Sequence, residues 1–140
     1  MADLPMLLEQ ISIRMRKLRN SSLTDRELMI LESLSNRGSM TISEITADSD
    51  VTESTVSNSV STLWRKGFVS KSTDLNDQRN KIINLKGEGK QALEKEQRLR
   101  RRRFEIFLKA LNPSEEESQI IEKLISRAIG ALDKMQQQSQ

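Results

Sequence analysis

The segment from Val51 to Leu85 contains the side chains best suited to contacting another molecule. It begins with the pattern of an amphipathic helix, and one face of that helix is filled by hydroxyl and amide groups. Asparagine can pair with adenine, arginine with guanine, and serine or threonine with bases or phosphates. This face therefore predicts contact with DNA. The candidate residues are Thr52, Ser54, Thr55, Ser57, Asn58, Ser61, Thr62 and Arg65.

The opposite face of the same helix is apolar and is expected to be buried. It consists of Val56, Val60, Leu63 and Trp64. The polar face has a simpler interpretation, in which it only faces solvent. A solvated helix usually favours Glu, Lys, Gln and Ala, because these residues have high helix propensity. Ser, Thr and Asn lower that propensity, so their use here favours a function for their side chains.

A charged hairpin follows the helix. Residues 68–72 and 81–85 are predicted to form two short paired strands, joined by a polar turn that contains Asp77-x-Arg79. The helix itself has few basic residues, so the hairpin must supply part of the attraction for phosphate. The candidate wing residues are Asn76, Asp77, Arg79, Asn80 and Lys81.

Helix start and stop signals place this segment in a larger helical fold. Residues 24–27 and 41–44 each have the spacing of a capping box, and Thr52 is suited to cap the polar helix. The helix predicted from Thr41 is short, because residues 48–50 interrupt it within about two turns. Two capped helices separated by so short a turn have the outline of a helix-turn-helix.

Apolar residues recur at helical spacing near both ends of the chain. A long charged helix is predicted from about Gly87 to Leu111, and the last helix is predicted to place Pro113 at its first position. Such apolar faces are usually core, yet 35% hydrophobic and 3% aromatic residues supply little material for a monomeric core. We therefore expect a homodimer. The candidate dimerisation residues are Leu4, Leu8, Ile11, Met15, Ile121, Leu124, Ile125, Ala128 and Leu132.

Composition excludes several classes of function. The chain has no Cys and no His, which excludes thiol redox sensing, zinc–thiolate and imidazole metal sites, and His-based acid–base catalysis. It also lacks a Gly-rich phosphate loop, so we expect no enzyme, catalytic residue, metal or cofactor. The net charge of +3 mildly favours a polyanionic partner. No apolar run is long enough to span a membrane, and no signal peptide is recognisable, so we expect a cytoplasmic protein.

The segment from Ile42 through Gly89 resembles the winged helix-turn-helix of the MarR family of bacterial transcription regulators. The helices before and after it are similar to the family's arrangement, so the resemblance covers nearly the whole chain. Two positions depart from the family pattern, because Lys86 replaces a helix-capping Thr and Thr46 replaces a small Ala. The matching residues are Glu44, Ile45, Ser54, Thr55, Val56, Ser57, Leu63, Gly67, Phe68, Val69, Asp77, Arg79, Leu85 and Gly89.

The resemblance implies a mainly α fold with a small β-wing. Residues 23–86 would form the winged helix-turn-helix, and residues 1–22 and 87–140 would form a helical dimerisation region. The helix from Thr52 would enter the major groove of DNA, and the wing around Arg79 would reach the adjacent minor groove. Asp77 would orient Arg79 through a charge-assisted hydrogen bond. A pair that only stabilises the turn is the alternative.

We expect a homodimeric, sequence-specific DNA-binding transcription regulator. A dimer would place two recognition helices about one turn of DNA apart, roughly 10 base pairs, which predicts a palindromic double-stranded operator. We favour a repressor that a small-molecule effector relieves by binding between the dimerisation helices and the DNA-binding lobes. The alternative is a winged-helix module that binds a protein. The five arginines within residues 98–103 have four alternative interpretations, which are solvated ion pairs, pairing across subunits, phosphate contact and effector binding.

Overall fold

A computed structural model describes residues 3–77 and 79–138 of the chain. These residues form two compact units, of which the first ends at Arg100 and the second begins at Arg101. The predicted fold class is confirmed: the chain is mainly helical and has a small antiparallel sheet. The elements in chain order are α1 (Leu4–Lys17), α2 (Asp25–Arg37), β1 (Met40–Thr41), α3 (Ile42–Ala47), α4 (Glu53–Arg65), β2 (Val69–Thr73), β3 (Lys81–Leu85), α5 (Gly87–Leu111) and α6 (Glu115–Gln138).

The sheet has three antiparallel strands in the order β1-β3-β2. In the wing, Val69 pairs with Leu85 and Thr73 pairs with Lys81. β3 has the predicted bounds, whereas β2 begins one residue later than predicted. The two predicted strands pair as expected, and a third strand, β1, was not predicted; its Met40 pairs with Ile83. A strand of two residues that leads directly into a helix is too short to produce an alternating pattern.

The apolar core lies entirely in the first unit, between Leu23 and Leu93. It is built by α2, α3, α4, the sheet and the start of α5. Trp64 was predicted to be buried, and this was wrong, since 54% of it is exposed. On a helical wheel Trp64 lies about 80° from Val56, at the edge of the apolar stripe, and Lys71 of β2 lies over its ring. The buried apolar side chains are Leu23, Leu28, Ile30, Leu31, Leu34, Met40, Ile45, Val56, Val60, Leu63, Val69, Ile83 and Leu93.

The predicted helix caps are largely present. At α2 both bonds of the capping box form: the Glu27 N–H donates to Thr24 Oγ1 at 3.1 Å, and the Thr24 N–H donates to Glu27 Oε1 at 3.3 Å. At α3 only one bond of the predicted capping box forms, from the Glu44 N–H to Thr41 Oγ1 at 3.2 Å. Thr41 is also the last residue of β1, which constrains the backbone that the second bond would use.

The second unit contains a helical hairpin whose turn differs from the prediction. Pro113 precedes α6 and does not occupy its first position, because Ser114 and Glu117 form a reciprocal capping pair with distances of 3.0 and 3.1 Å. Hydrogen bonds from the backbone and the side chain of Ser114 hold the pKa of Glu117 below its ordinary value. Asn112 adopts a φ of 49°, a left-handed conformation that asparagine tolerates and that ends α5.

We predict that Gly89→Ala destabilises the fold by about 1–3 kcal/mol, the usual cost of overpacking. Gly89 is buried in the first turn of α5, and an added Cβ there would overlap the carbonyl oxygen of Phe68 and lie 3.0 Å from Leu85 Cδ1. Gly87→Ala is the matched control, because a Cβ at that position meets nothing within 4 Å. Thermal unfolding should show a lower Tm for the first variant only. Equal Tm values would contradict this packing.

Candidate nucleic-acid interface

The start of α4 presents a cluster of hydroxyl groups. Thr52 caps the helix by accepting a hydrogen bond from the Thr55 N–H at 3.3 Å. Its Oγ1 also lies 3.2 Å from Ser54 Oγ and 2.9 Å from Thr55 Oγ1. Three of the predicted contact residues therefore come together at the end of the helix where backbone N–H groups point outward.

The rest of the predicted polar face lies on one surface of α4. Ser57, Asn58 and Arg65 are exposed, and Ser61 and Thr62 are half-buried. Thr62 Oγ1 donates to the Asn58 carbonyl oxygen at 3.1 Å and accepts from Arg65 Nη2 at 3.4 Å. The Thr62 hydroxyl therefore holds the Arg65 guanidinium along the helix.

A groove of about 480 Å³ runs between the start of α2 and α4. Asn58, Ser59 and Thr62 line it from α4, and residues 24–27 line it from the start of α2. The sequence did not indicate that Asp25 and Arg26 lie beside the polar face. A capping box identifies where a helix begins, but it does not identify the neighbouring element.

A buried carboxylate fixes the end of α4. Lys66 Nζ donates to Glu27 Oε2 at 2.8 Å and to the Ser22 carbonyl oxygen at 3.2 Å. Only 5% of the Glu27 side chain is exposed, so this pair is shielded from water on the carboxylate side. The contact removes Lys66 from the charges that could attract phosphate. Within the described part of α4, this leaves Arg65 as the basic side chain of the polar face.

The turn of the wing is organised by Asp77. Its Oδ1 accepts from the Arg79 backbone N–H at 3.0 Å, and its Oδ2 accepts from Asn80 Nδ2 at 3.2 Å. The Asn80 N–H also donates to the Asp77 carbonyl oxygen at 3.0 Å. The resemblance implied that Asp77 orients Arg79. The hydrogen bond is to the main chain of Arg79, and the exposed guanidinium extends from that turn.

The other wing residues continue the same turn. The Asn76 N–H donates to Asp74 Oδ1 at 3.0 Å, and the Asp74 N–H donates to the Asn80 carbonyl oxygen at 3.1 Å. Lys81 Nζ donates to Thr73 Oγ1 at 3.4 Å across the hairpin. The predicted wing residues therefore lie together in one hydrogen-bonded and exposed turn.

Asn84 links all three strands at the base of the wing. Its Oδ1 accepts from Ser39 Oγ at 2.6 Å, beside β1, and its Nδ2 donates to Ser72 Oγ of β2 at 3.1 Å. Nothing in the sequence indicated this role. A polar residue at the outward positions of a strand is common, and its partners are 45 and 12 residues away in the chain.

Two classes of site are absent from the described residues. Across residues 3–77 and 79–138, no three Asp or Glu side chains are grouped so that they could hold a metal ion. In the same ranges, no helix has both the length and the apolar character that crossing a membrane requires.

Comparison with known proteins identifies the helix-turn-helix and the wing. The sequence model of the MarR family matches residues 23–81, from the end of the α1–α2 connection to the start of β3. The chain carries a MarR-family domain. The MarR match confirms the resemblance seen in the sequence, and it includes the polar face of α4 and the turn held by Asp77.

Solved structures of MarR-type proteins have the same fold. MepR of Staphylococcus aureus, a transcription regulator of the multidrug efflux pump MepA, is 23% identical, with 94% of this chain and 99% of that chain covered and a TM-score of 0.77. A mutant of MarR from E. coli is 19% identical, with coverages of 92% and 98% and a TM-score of 0.76. PcaV of Streptomyces coelicolor, in complex with its natural ligand, is 22% identical, with coverages of 92% and 91% and a TM-score of 0.65. At these identities the likeness establishes the fold. A search among curated proteins gave no match.

We predict that Asp77→Ala raises the hydrogen-exchange rate of the Arg79 amide about tenfold, as expected when a charge-assisted hydrogen bond is lost. Asp77→Asn is the matched control, because its amide oxygen can still accept from that N–H. The measurement is amide exchange by NMR on the folded protein. Unchanged protection of Arg79 in the alanine variant would show that the carboxylate does not hold the turn.

Proposed function

We propose that the protein is a sequence-specific DNA-binding transcription regulator that acts as a homodimer, with α4 in the major groove and the wing at the adjacent minor groove. The observation that carries the proposal is the division of α4 into two faces. Val56, Val60 and Leu63 fasten one face to the core, while the other presents hydroxyl, amide and guanidinium groups to solvent. These are the groups that read base edges and bind phosphates.

The distribution of charge supports separate roles for the helix and the wing. Because Glu27 engages Lys66, the polar face of α4 has little positive charge of its own. The wing carries Lys71, Arg79 and Lys81, all exposed. We infer that short polar side chains on α4 supply base discrimination and that the wing supplies much of the attraction for the phosphate backbone.

Unburied apolar side chains support the homodimer. α1 and α6 contain no buried residue, although both have apolar stripes at helical spacing. A large exposed apolar patch marks an interaction surface in soluble proteins. In the second unit, Leu108, Pro113, Ile121 and Ile125 line an apolar groove of about 370 Å³. The predicted dimerisation residues are all exposed, except for Met15, which is half-buried: Leu4, Leu8, Ile11, Ile121, Leu124, Ile125, Ala128 and Leu132.

We further propose that the protein represses transcription and that a small-molecule effector relieves this. A cavity of about 230 Å³ in the first unit supports an effector site. Residues 20–23 form one wall, and Phe68 and residues of α5 form the others. The carbonyl oxygen of Ser22, in that wall, also accepts the hydrogen bond from Lys66. A ligand that displaced Ser22 would therefore alter a contact at the end of α4. Such a ligand regulates only if it binds one arrangement of α4 better than the other.

We predict that duplexes selected from a random DNA pool bind with a steep salt dependence, and that Asn58→Ala and Arg79→Ala weaken binding roughly 10- to 100-fold, as expected for lost base contacts of about 1–3 kcal/mol. Asn36→Ala is the matched control, because Asn36 is an exposed amide near the end of α2. Fluorescence anisotropy measures the affinity. Compounds added in the same assay test the effector, which should release the duplex.

Two results would contradict this assignment. Absent binding, or binding without salt dependence, would favour the alternative of a winged-helix module that docks a protein through the same polar face. Loss of folding in the Asn58 or Arg79 variant would show that these side chains stabilise the structure. Circular dichroism of each variant separates the second result from loss of DNA contact.

We predict that Leu132→Glu converts a dimer into a monomer at micromolar concentration, because it places a charge in the apolar stripe of α6. Lys123→Glu is the control, since Lys123 lies on the opposite side of the helical wheel from that stripe. Sedimentation equilibrium gives the mass of each protein. A monomeric wild type would contradict the homodimer.

A further inference from the structure

The single tryptophan of the chain occupies an exposed position at the end of α4. Trp64 is 54% exposed, and Lys71 Nζ lies over its ring, 5.4 Å from the ring centroid. Lys71 belongs to β2, so this cation–π contact joins the recognition helix to the first strand of the wing. The other exposed side chains of α4 are short polar groups, Arg65 at its end and Glu53 in its first turn.

Trp64 lies on the side of α4 that faces the wing. On the helical wheel it lies between Val60, which is buried, and Ser57 and Ser61, which are on the edge of the polar face. The Trp64 ring and the Lys71 ammonium therefore lie between the surface proposed to enter the major groove and the strand that leads to the Arg79 turn. A DNA strand that separates the two grooves would pass this position.

The contact leaves both polar groups available to a ligand. A lysine ammonium has three donors, and a ring face satisfies none of them as a conventional hydrogen bond. Among the described residues, neither the Lys71 ammonium nor the Trp64 indole N–H has a hydrogen-bond acceptor. Both groups are donors only, so their complement is an anion with several acceptor oxygens.

The contact also reduces the cost of ordering the lysine. A lysine side chain that moves freely loses rotamer freedom when it binds a phosphate, and holding it beforehand lowers that cost. The need for such a cation is greater here because Lys66 is bound to Glu27, which leaves Arg65 as the basic residue of the polar face in the described part of α4.

We propose that Trp64 and Lys71 form a preassembled clamp for one phosphodiester group of the DNA strand between the two grooves. The Lys71 ammonium donates to a phosphate oxygen, and the Trp64 ring holds the ammonium in place and packs against the adjoining sugar. Trp64 is thus a positioning residue for Lys71. The clamp rests on the proposed DNA-binding function and deepens it, because the pair would contribute affinity that does not depend on the DNA sequence.

The test is the salt dependence of binding to two duplexes of about 30 base pairs, one selected from a random pool and one scrambled. The slope is that of the logarithm of the binding constant against the logarithm of the salt concentration. Lys71→Ala should reduce its magnitude by about one for each Lys71 that contacts DNA, and it should weaken binding to both duplexes by a similar factor. Trp64→Ala should have a comparable effect, and the double variant should lose little more. Lys71→Arg should restore the slope, and Lys109→Ala, which removes the same charge from the second unit, should leave it unchanged.

A phosphate-resolved measurement makes the test sharper. Ethylation interference should show one phosphate per half-site at which modification impairs the wild type but has no effect on Lys71→Ala. Because Trp64 is the only tryptophan, its fluorescence emission should change when the wild type binds either duplex. Trp64→Phe, which keeps an aromatic face, should retain most of the slope and replaces Trp64→Ala if that variant unfolds.

The outcomes separate the clamp from the function on which it rests. If the wild type binds neither duplex, the proposed function and the clamp both fail. If the wild type binds but Lys71→Ala keeps the full slope, only the clamp fails. Fully additive losses in the double variant would also overturn it, because they would mean that Trp64 does not act through Lys71.

Discussion

The buried carboxylate of Glu27 is the interaction on which the proposed DNA-binding surface depends. It caps the start of α2 through Thr24 and binds the ammonium of Lys66 at the end of α4. Removing Lys66 would leave the buried Glu27 carboxylate without its counter-charge, and such a loss costs far more than a surface ion pair contributes. The helix that presents the polar face is therefore held at its far end by charge and along its length by apolar packing. The same bond neutralises the charge of Lys66, so much of the positive charge has to come from the wing.

The sequence was sufficient to predict those elements that depend on residues close together in the chain. The caps at Thr24 and Thr52, the short α3 and the strand from Lys81 follow from spacing and turn chemistry within a few residues. It was insufficient wherever distant segments meet. The spacing of apolar residues in α4 predicted that Trp64 is buried. Its exposure depends instead on how α4 lies beside β2, which the spacing within one helix does not reveal. At Asp77 the local sequence left two roles open, and the hydrogen bond to the Arg79 main chain corresponds to the one in which the pair stabilises the turn.

Burial is distributed very unevenly along this chain. Within residues 3–77 and 79–138, the buried apolar side chains all lie between Leu23 and Leu93, and the helices at both ends keep apolar stripes exposed. In the proposed homodimer a partner subunit would supply the missing contacts, so the stability of the end helices would depend on concentration. Folding of the MarR-family domain and assembly of the whole protein are thus expected to respond differently to dilution.

The hydrogen bonds of Asn84 give the wing a fixed base and an independent tip. This one side chain connects Ser39 and Ser72 below the turn, so part of what holds the strands together lies outside the turn. During evolution the turn could therefore lengthen, shorten or exchange its charges without unfolding the strands beneath it. Relatives could thus differ in the charge and length of a single loop, while the scaffold that carries it stays the same.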